Sequence, residues 1–269
     1  SVVGNVTCPG KHPILQMSWA YDGKLLATST RVEVFIWCCE FPDKKHATLI
    51  KTLGVSSDRT QVGRFSPTTL ELCCGSPNRK ITLWGGGIDF TLQETYTISK
   101  GSSKFGKQKV AVPDICEINW SSDGQILSGL TVGNLRIWQK SDTVPKATFT
   151  PAHGSRITSS DFSPDGNRIA TTSEDGSVTI WNTFTTAKHS VFEKHRTAVT
   201  CISWHKDGSL IASGSKDGMV LVWNVLTGEV VQHLFGHYHE IVTVSWSPSG
   251  LELVSSSSND HYILWDSTK

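Results

Sequence analysis

The sequence is poor in several features on which large classes of proteins depend. Only 18% of its 269 residues are charged, and the formal net charge is +1, whereas proteins dedicated to nucleic acids or to membrane surfaces are usually strongly basic. No uninterrupted apolar run reaches the roughly 18 residues that a membrane-spanning helix needs. We therefore expect neither a dedicated nucleic-acid binder nor a membrane partner.

The seven cysteines lack the spacings of disulfide or metal chemistry. None forms a Cys-x-x-Cys pair, and two pairs are adjacent in the chain, Cys38-Cys39 and Cys73-Cys74. Adjacent thiols suit neither a disulfide framework nor a zinc site. We expect small buried side chains in a reducing compartment, with no metal and no cofactor. The expected location is intracellular, either nuclear or cytoplasmic or both.

Tryptophan, in contrast, is abundant, and its ten positions fall into two columns. One column has spacings of 47, 54, 43, 42 and 42 residues and consists of Trp37, Trp84, Trp138, Trp181, Trp223 and Trp265. The other lies 18 or 19 residues upstream and consists of Trp19, Phe65, Trp120, Phe162, Trp204 and Trp246. A fixed period of this kind predicts six structural repeats. We expect both columns to lie in the core.

Turn signals divide each repeat into short strands. An Asp-Gly or Ser-Gly pair lies between the columns in five of the six repeats, as at Asp165-Gly166 and Asp207-Gly208, and Pro67-Thr68-Thr69 replaces it in the second. Another turn follows about ten residues later, clearest at Asp175-Gly176 and Asp217-Gly218. Short β-rich runs between such turns predict antiparallel hairpins. Each repeat thus contains three strands and a fourth that leads to the next repeat.

With this pattern the sequence resembles the WD40-repeat family over essentially its whole length. The last three repeats keep the family motif best, and the final one has both dipeptides intact, Gly236-His237 and Trp265-Asp266. The resemblance implies an all-β fold, a β-propeller of four-stranded antiparallel blades, as a single domain over residues 1–269. Six repeats are counted in this chain, and the count would be seven or eight if terminal repeats are missing. Closure of a six-bladed ring would need a fourth strand for the last repeat, for which Val2–Cys8 is the natural donor.

The resemblance also implies a buried hydrogen-bond relay of His, Ser or Thr, Asp and Trp in each well-kept repeat. Its members are His153, Thr171, Asp175 and Trp181, then His195, Ser213, Asp217 and Trp223, then His237, Ser255 and Trp265, with Asn259 at the last Asp position. Out of context such Ser/Thr-His-Asp sets look catalytic. A set that repeats at the blade period has a structural explanation, because buried indole and imidazole groups need partners. We predict no catalytic residue, no enzyme activity and no small-molecule substrate.

Partner binding in this family uses the loops before the first strand and between the second and third strands. In this sequence those positions hold Arg156, Glu174, Arg196, Lys216, Tyr238, His239 and Glu240. Arg and Tyr suit hot spots because they combine apolar area with directed hydrogen bonds. The predicted function is a non-enzymatic scaffold that binds proteins or peptides on this face within a multiprotein complex. A local similarity of Ile115–Trp138 to transducin-β-like corepressor subunits points to nuclear chromatin.

A basic insertion lies between Trp84 and Trp138, where the interval exceeds the 42-residue period by 12. It carries Lys100, Lys104, Lys107 and Lys109 among Gly and Ser. Gly101 to Lys107 matches phosphate-loop spacing, but Gln108 replaces the magnesium-binding Ser or Thr. Two interpretations stay open, a solvated loop or a contact for an acidic partner or a nucleic-acid backbone. The second defines the alternative function, an RNA-processing or substrate-recognition subunit whose basic loop (Lys100–Lys109) contacts nucleic acid.

Overall fold

The computed structural model of the chain describes residues 9, 12–30, 32–39, 47–53, 62–76, 80–85, 87, 89–97, 104–105, 108–109, 117–124, 126–131, 134–140, 142, 144–149, 153–259 and 261–267. Within these ranges the regular structure consists of 25 β-strands. Among the same residues no helix is long and apolar enough to cross a membrane.

The first three predicted repeats each form an antiparallel sheet whose four strands follow one another in sequence order. The first sheet contains β1 (Gln16–Trp19), β2 (Leu25–Ser29), β3 (Val34–Cys38) and β4 (Thr48–Leu53). The second contains β5 (Val62–Phe65), β6 (Leu72–Gly75), β7 (Lys80–Gly85) and β8 (Thr91–Thr97). A two-stranded hairpin follows, β9 (Lys104–Phe105) and β10 (Gln108–Lys109), before the third sheet of β11 (Glu117–Trp120), β12 (Ile126–Thr131), β13 (Asn134–Gln139) and β14 (Ala147–Phe149).

The last three repeats continue the same pattern. The fourth sheet contains β15 (Ile157–Phe162), β16 (Arg168–Ser173), β17 (Val178–Asn182) and β18 (Lys188–Phe192). The fifth contains β19 (Val199–Trp204), β20 (Leu210–Ser215), β21 (Val220–Asn224) and β22 (Val230–Leu234). The sixth has three strands among the described residues, β23 (Ile241–Trp246), β24 (Glu252–Ser257) and β25 (Tyr262–Asp266). The predicted all-β propeller of antiparallel four-stranded blades is confirmed, with five such blades in the described part of the chain.

The chain divides into two compact units. The first comprises Ser1–Thr131 and Trp138–Lys146, and the second comprises Val132–Ile137 and Ala147–Lys269. The prediction of a single domain over residues 1–269 stays a prediction. The proposed closing strand, Val2–Cys8, lies outside the described residues.

The tight turns form as the turn residues predict. In the fourth repeat the N–H of Gly166 donates to the carbonyl of Ser163 over 2.9 Å, and Gly166 has φ of +69°. This left-handed conformation favours glycine, because glycine has no Cβ. The second repeat has no Gly in this turn but still closes it, with the N–H of Ser66 donating to the carbonyl of Glu71 over 2.8 Å.

In each unit the aromatic columns contribute to the core, with one exception. Seven tryptophans are buried, namely Trp37, Trp120, Trp138, Trp181, Trp204, Trp223 and Trp246. Trp84 and Trp265 are half-buried, whereas Trp19 is 56% exposed. The expectation that Trp19 lies in the core is therefore wrong. In the later repeats the first-strand aromatic packs against the preceding blade; for example, Trp204 Nε1 donates to the carbonyl of Asp161. No described strand precedes β1, so Trp19 has no such neighbour among the described residues that precede it.

The described cysteines are unpaired. Cys73, Cys74 and Cys201 are buried, and Cys38 and Cys39 are half-buried. Burial raises the pKa of the Cys73 thiol well above its ordinary value, which keeps it protonated. Cys8 and Cys116 lie outside the described residues.

Candidate functional site

The fourth repeat contains a continuous chain of hydrogen bonds from an indole to a carboxylate. Trp181 Nε1 donates to Thr171 Oγ1 over 2.9 Å, and Thr171 Oγ1 lies 2.7 Å from His153 Nε2. His153 Nδ1 lies 2.8 Å from Ser177 Oγ, which donates to Asp175 Oδ1 over 2.5 Å. The hydroxyl of Ser177 donates its one hydrogen to the carboxylate, so it can only accept from the imidazole. Nδ1 of a neutral His153 is therefore the donor to Ser177. All the bonds then point from the tryptophan towards Asp175.

The electrostatics of this chain keep the imidazole neutral. Burial lowers the pKa of His153 to about 4, although the Asp175 carboxylate opposes the shift. Burial would raise the pKa of Asp175, but hydrogen bonds from the side chain and backbone of Ser177 bring that pKa below its ordinary value. At neutral pH the site therefore holds an uncharged His and an ionised Asp.

The fifth repeat forms only part of this chain. Trp223 Nε1 donates to Ser213 Oγ over 2.7 Å, and Ser213 Oγ lies 2.7 Å from His195 Nε2. Asp217 Oδ1 instead accepts from the backbone N–H of Met219 over 3.1 Å. Met219 occupies the position of Ser177 and has no hydroxyl to bridge to the imidazole. His195 Nδ1 is consequently buried without a hydrogen-bond partner among the described residues.

The sixth repeat repeats this partial arrangement. Trp265 Nε1 donates to Ser255 Oγ over 2.8 Å, and Ser255 Oγ lies 2.7 Å from His237 Nε2. Asn259 accepts from Ser257 Oγ rather than from the imidazole, and His237 Nδ1 has no partner in the described part of the chain. The structure thus brings His, Ser or Thr and Trp together in all three repeats, and joins the Asp position to them by hydrogen bonds in the fourth.

The recurring hydroxyl groups are not placed for nucleophilic chemistry. Thr171, Ser213 and Ser255 are fully buried, and each lies between an imidazole and an indole. A catalytic nucleophile needs an accessible oxygen and room for a substrate carbonyl beside it. The geometry supports a structural role for these residues.

Sequence reasoning missed two members of these networks. Ser177 bridges His153 and Asp175. Because it carries a hydroxyl and directly follows the turn glycine, the sequence could have identified it as a member of the hydrogen-bond chain. In the first repeat Trp37 Nε1 donates to Thr28 Oγ1 over 2.9 Å. Thr28 precedes its tryptophan by nine residues, close to the ten that separate Thr171 from Trp181, so the spacing could have identified it.

The loops predicted to carry partner contacts lie at one edge of the sheets of the second unit. In each of three repeats the entry loop is tied to the turn between the second and third strands by a backbone hydrogen bond of 2.9 Å. The bonds run from Glu174 N to Arg156 O, from Lys216 N to Ala198 O and from Ser258 N to Glu240 O. Because all three join equivalent positions, the candidate residues of each repeat are held side by side.

Neighbouring repeats are also in contact along this edge. A Cβ placed on Gly176 would lie 3.0 Å from the carbonyl oxygen of His195, and a Cβ on Gly218 would lie 2.7 Å from that of His237. The turn of one repeat therefore presses against the entry loop of the next. The candidate residues of the three repeats form one continuous surface, here called the loop face: Arg156, Glu174, Arg196, Lys216, Tyr238, His239 and Glu240.

The side chains of the loop face point to solvent and are largely unengaged. All seven are exposed except Glu240, which is half-buried, and Tyr238 is 93% exposed. Within the described residues, Arg156, Arg196 and Lys216 make no side-chain hydrogen bond or ion pair. A surface with unpaired cations and an exposed phenol can bind a ligand without first breaking internal contacts.

The basic insertion is described only in part. Its hairpin pairs Lys104 with Lys109 and Phe105 with Gln108, whereas Lys100 and Lys107 lie outside the described residues. For metals, the described part of the chain holds no group of three or more His, Cys, Asp or Glu side chains arranged around a common point.

Comparison with known proteins identifies the repeats. The family model "WD domain, G-beta repeat" matches residues 143–182, 187–224 and 228–266, which are the repeats with the hydrogen-bonded His, Ser or Thr and Trp. A subunit of chromatin assembly factor 1 from Gallus gallus is 25% identical over 199 residues, which cover 67% of this chain and 35% of that protein. The corresponding protein of Mus musculus is 26% identical over 198 residues, covering 66% and 34%.

A relative with a different name shares a shorter stretch at higher identity. Protein LST8 homolog of Drosophila melanogaster is 30% identical over 128 residues, which cover 44% of this chain and 36% of that protein. The chain thus spans about a third of the length of the curated relatives it matches. These relatives lend no specific support to the similarity with transducin-β-like corepressor subunits. The three matched repeats are thus WD40 repeats, and the tryptophan columns and the four-stranded sheets continue the same pattern in the first three repeats.

Proposed function

We propose that this chain is a non-enzymatic scaffold that binds partner proteins or peptides through its loop face. One observation carries the proposal. The candidate residues of three repeats lie on one surface, and the cations of that surface have no internal partner among the described residues. WD40 propellers are typically interaction scaffolds. Fold alone does not determine function, so the proposal depends on this surface.

The chemistry of the loop face favours a peptide that carries carboxylates beside an apolar side chain. The guanidinium groups of Arg156 and Arg196 can each donate two parallel hydrogen bonds to a carboxylate. Tyr238 offers a large apolar ring with a hydroxyl at its tip, a combination enriched at interface hot spots. Glu174 and Glu240 lie among these cations and would disfavour a uniformly acidic partner, which adds specificity.

We further propose that the complex is a nuclear one that acts on chromatin. Support comes from two relatives that are each named as a subunit of chromatin assembly factor 1 and that match about two thirds of this chain. The matched stretches of 199 and 198 residues are longer than the span of the three family-matched repeats, residues 143–266.

The test compares a loop-face variant with a matched control on the same sheets. The loop-face variant combines Arg156→Ala, Arg196→Ala and Tyr238→Ala. The control combines Lys206→Ala and Leu226→Ala, two exposed residues in the turns at the opposite ends of the strands. Each protein is tagged and purified from cells, and associated proteins are quantified by mass spectrometry.

We expect proteins that copurify with the wild type and with the control to fall at least tenfold with the loop-face variant. Chromatin proteins among them would support the nuclear assignment. Partners retained equally by all three proteins would overturn the assignment of the loop face. Variants must keep the wild-type melting temperature, since the changed side chains are exposed.

The alternative, nucleic-acid contact by the basic loop, retains one observation in its favour. The backbone of the insertion forms a hairpin whose register pairs Lys104 with Lys109, and lysine is a residue type that neutralises phosphates. A further variant combines Lys104→Glu and Lys109→Glu, and its affinity for single-stranded RNA is compared with that of the wild type. Loss of RNA binding in this variant, with protein partners unchanged, would favour the alternative.

A further inference from the structure

The outer strand of the fifth sheet, β22, pairs with β21 on one side only. The two faces of this sheet are covered by the fourth and the sixth sheets, which belong to the same unit. Among the described residues no strand pairs with the outer edge of β22. Such an edge presents backbone donors and acceptors that can pair with a further strand.

The strand register determines which backbone groups point outwards from this edge. The N–H of Asn224 donates to the carbonyl of Glu229 over 2.9 Å, so alternate residues of β21, counted from Asn224, direct their backbone groups towards β22. In this alternation Val222 lies opposite Gln232. His233 directly follows Gln232 in β22. The N–H and C=O of His233 therefore point away from β21, towards the free edge.

Proteins commonly protect such edges with charged side chains or with very short strands. The outer strands of the first, second and fourth sheets each contain a charged residue, namely Lys51, Glu94 and Lys188. The outer strand of the third sheet has only three residues. In contrast, β22 has five residues, VVQHL, and none of them is Asp, Glu, Lys or Arg. Among the described outer strands, β22 is thus the least protected against pairing.

The fourth repeat shows which charges are missing from the fifth. Lys188 and Val230 each pair with the tryptophan of the third strand, so these two positions are equivalent. Further along the chain, Glu193 corresponds to Phe235 by the same count. The fifth repeat therefore has apolar side chains where the fourth has a cation and an anion.

The exposed side chains along β22 form an apolar stripe. Burial alternates along the strand, so that Val231 and His233 are exposed and the residues between and beside them are half-buried. Phe235 continues the exposed series, and its ring stacks on the imidazole of His233 with an interplanar angle of 8°. Val231 is 50% exposed and Phe235 is 69% exposed. Covering this stripe removes apolar surface from water, which favours association.

We infer that β22 pairs in antiparallel fashion with β22 of a second copy of this chain, about a twofold axis at His233. In this register the N–H of each His233 donates to the carbonyl of the other, as in a hydrogen-bonded pair of an antiparallel ladder. Val231 of one copy then lies opposite Phe235 of the other. Pairs of an aromatic and a β-branched side chain stabilise adjacent strands.

The edge favours a second copy because it is complementary to itself. Val231 and Phe235 are placed symmetrically about His233, so one twofold axis forms both apolar pairs at once. The contact joins the same surface of both molecules and closes at two copies. Two five-residue strands bury far less than the roughly 1,600 Å² of a standard stable interface. We therefore expect a dimer that forms and dissociates with protein concentration.

The experiment measures molar mass by sedimentation equilibrium up to millimolar concentration. One variant carries Val231→Lys, and another carries Phe235→Glu, which introduces the residue that the fourth repeat has at the equivalent position. The matched control is Val191→Lys, at a residue that is 42% exposed on the outer strand of the fourth sheet. All three positions are exposed, so circular dichroism should show an unchanged fold.

We expect the mass of the wild type and of the control to rise towards that of a dimer and no further. Each β22 variant alone should have a dissociation constant at least tenfold higher. An equimolar mixture of the two variants should dimerise, because the introduced lysine faces the introduced glutamate and the other apolar pair is intact. A wild type that stays monomeric, or that forms larger species, would overturn the inference. So would a mixture that stays monomeric, or a loss of association in Val191→Lys equal to that in Val231→Lys.

Discussion

At the scale of single residues, one side chain decides how far each hydrogen-bond chain extends. Ser177 carries the chain from His153 to Asp175, whereas Met219 ends it at His195 in the next repeat. The aspartates therefore differ in what they stabilise, although both follow the same spacing. Asp175 also accepts from the backbone N–H of Gly154 over 3.2 Å, which ties the entry loop to the turn.

This difference predicts unequal costs for removing the two aspartates. Asp175→Ala should lower the free energy of unfolding by about 1–2 kcal/mol, because Ser177 and Gly154 lose an acceptor. Asp217→Ala should cost less than about 0.5 kcal/mol, since its side chain accepts one bond from an exposed turn. Urea unfolding followed by tryptophan fluorescence measures both. Equal losses would contradict the assignment of Asp175 to the hydrogen-bond chain.

At the scale of elements, the turns have two distinct tasks. The turn between the first and second strands closes a hairpin at the far edge, whereas the turn between the second and third strands also presses on the next repeat. Gly208 and Gly218 represent the two kinds, with φ of +75° and +84°. Around Gly208 the nearest atom to an added Cβ is 3.7 Å away, compared with 2.7 Å for Gly218.

Substituting these glycines separates backbone strain from crowding. Both Gly208→Ala and Gly218→Ala should lose about 1–2 kcal/mol, because a Cβ disfavours the left-handed conformation. Gly218→Ala should lose a further ~1 kcal/mol or more, because the carbonyl of His237 must move. The same change should reduce partner binding at the loop face. If the two variants unfold at the same urea concentration, the repeats are not in contact at that turn.

At the scale of the whole molecule, buried neutral imidazoles make stability depend on pH. Burial lowers the pKa of both His153 and His195 to about 4, below the ordinary value of 6.5. Between these values the unfolded chain binds protons that the folded chain does not. The contribution is therefore fully present above pH 6.5 and is lost as the pH falls towards 4.

We expect the free energy of unfolding to fall by on the order of 1–3 kcal/mol per histidine between about pH 7 and about pH 4.5. His195→Asn should remove one of the two contributions and flatten the pH dependence accordingly. His189→Asn is the control, since His189 is exposed. Chemical unfolding at several pH values measures the slope. A His195→Asn slope equal to that of the wild type would show that His195 binds as many protons in the folded state as in the unfolded state, which would contradict the lowered pKa.

Much of the fold could be predicted from the sequence because its determinants are local and repeated. Tryptophan spacing marks the strands, and turn glycines mark the hairpins, so the six sheets follow from periodicity. The same spacing located His153, Thr171 and Trp181 correctly relative to one another. It placed Asp217 beside His195 as well, and the structure instead turns that carboxylate to the backbone of Met219. Whether the carboxylate is linked to the imidazole depends on the side chain between them, Ser177 or Met219. The spacing of the other residues does not indicate whether that side chain has a hydroxyl.

By itself, then, the sequence determined the repeat, the blade and the two aromatic columns, because short-range turn chemistry and apolar periodicity are encoded residue by residue. Tertiary structure alone decided which of these residues are covered. Trp19 and Trp204 occupy the same column and the same strand position, yet one is exposed and the other buried. Leu264 and Val222 likewise occupy equivalent positions of their third strands, yet Leu264 is exposed and Val222 is buried. Burial is a property of what packs against a face, and a face acquires its neighbour only when the sheets come together.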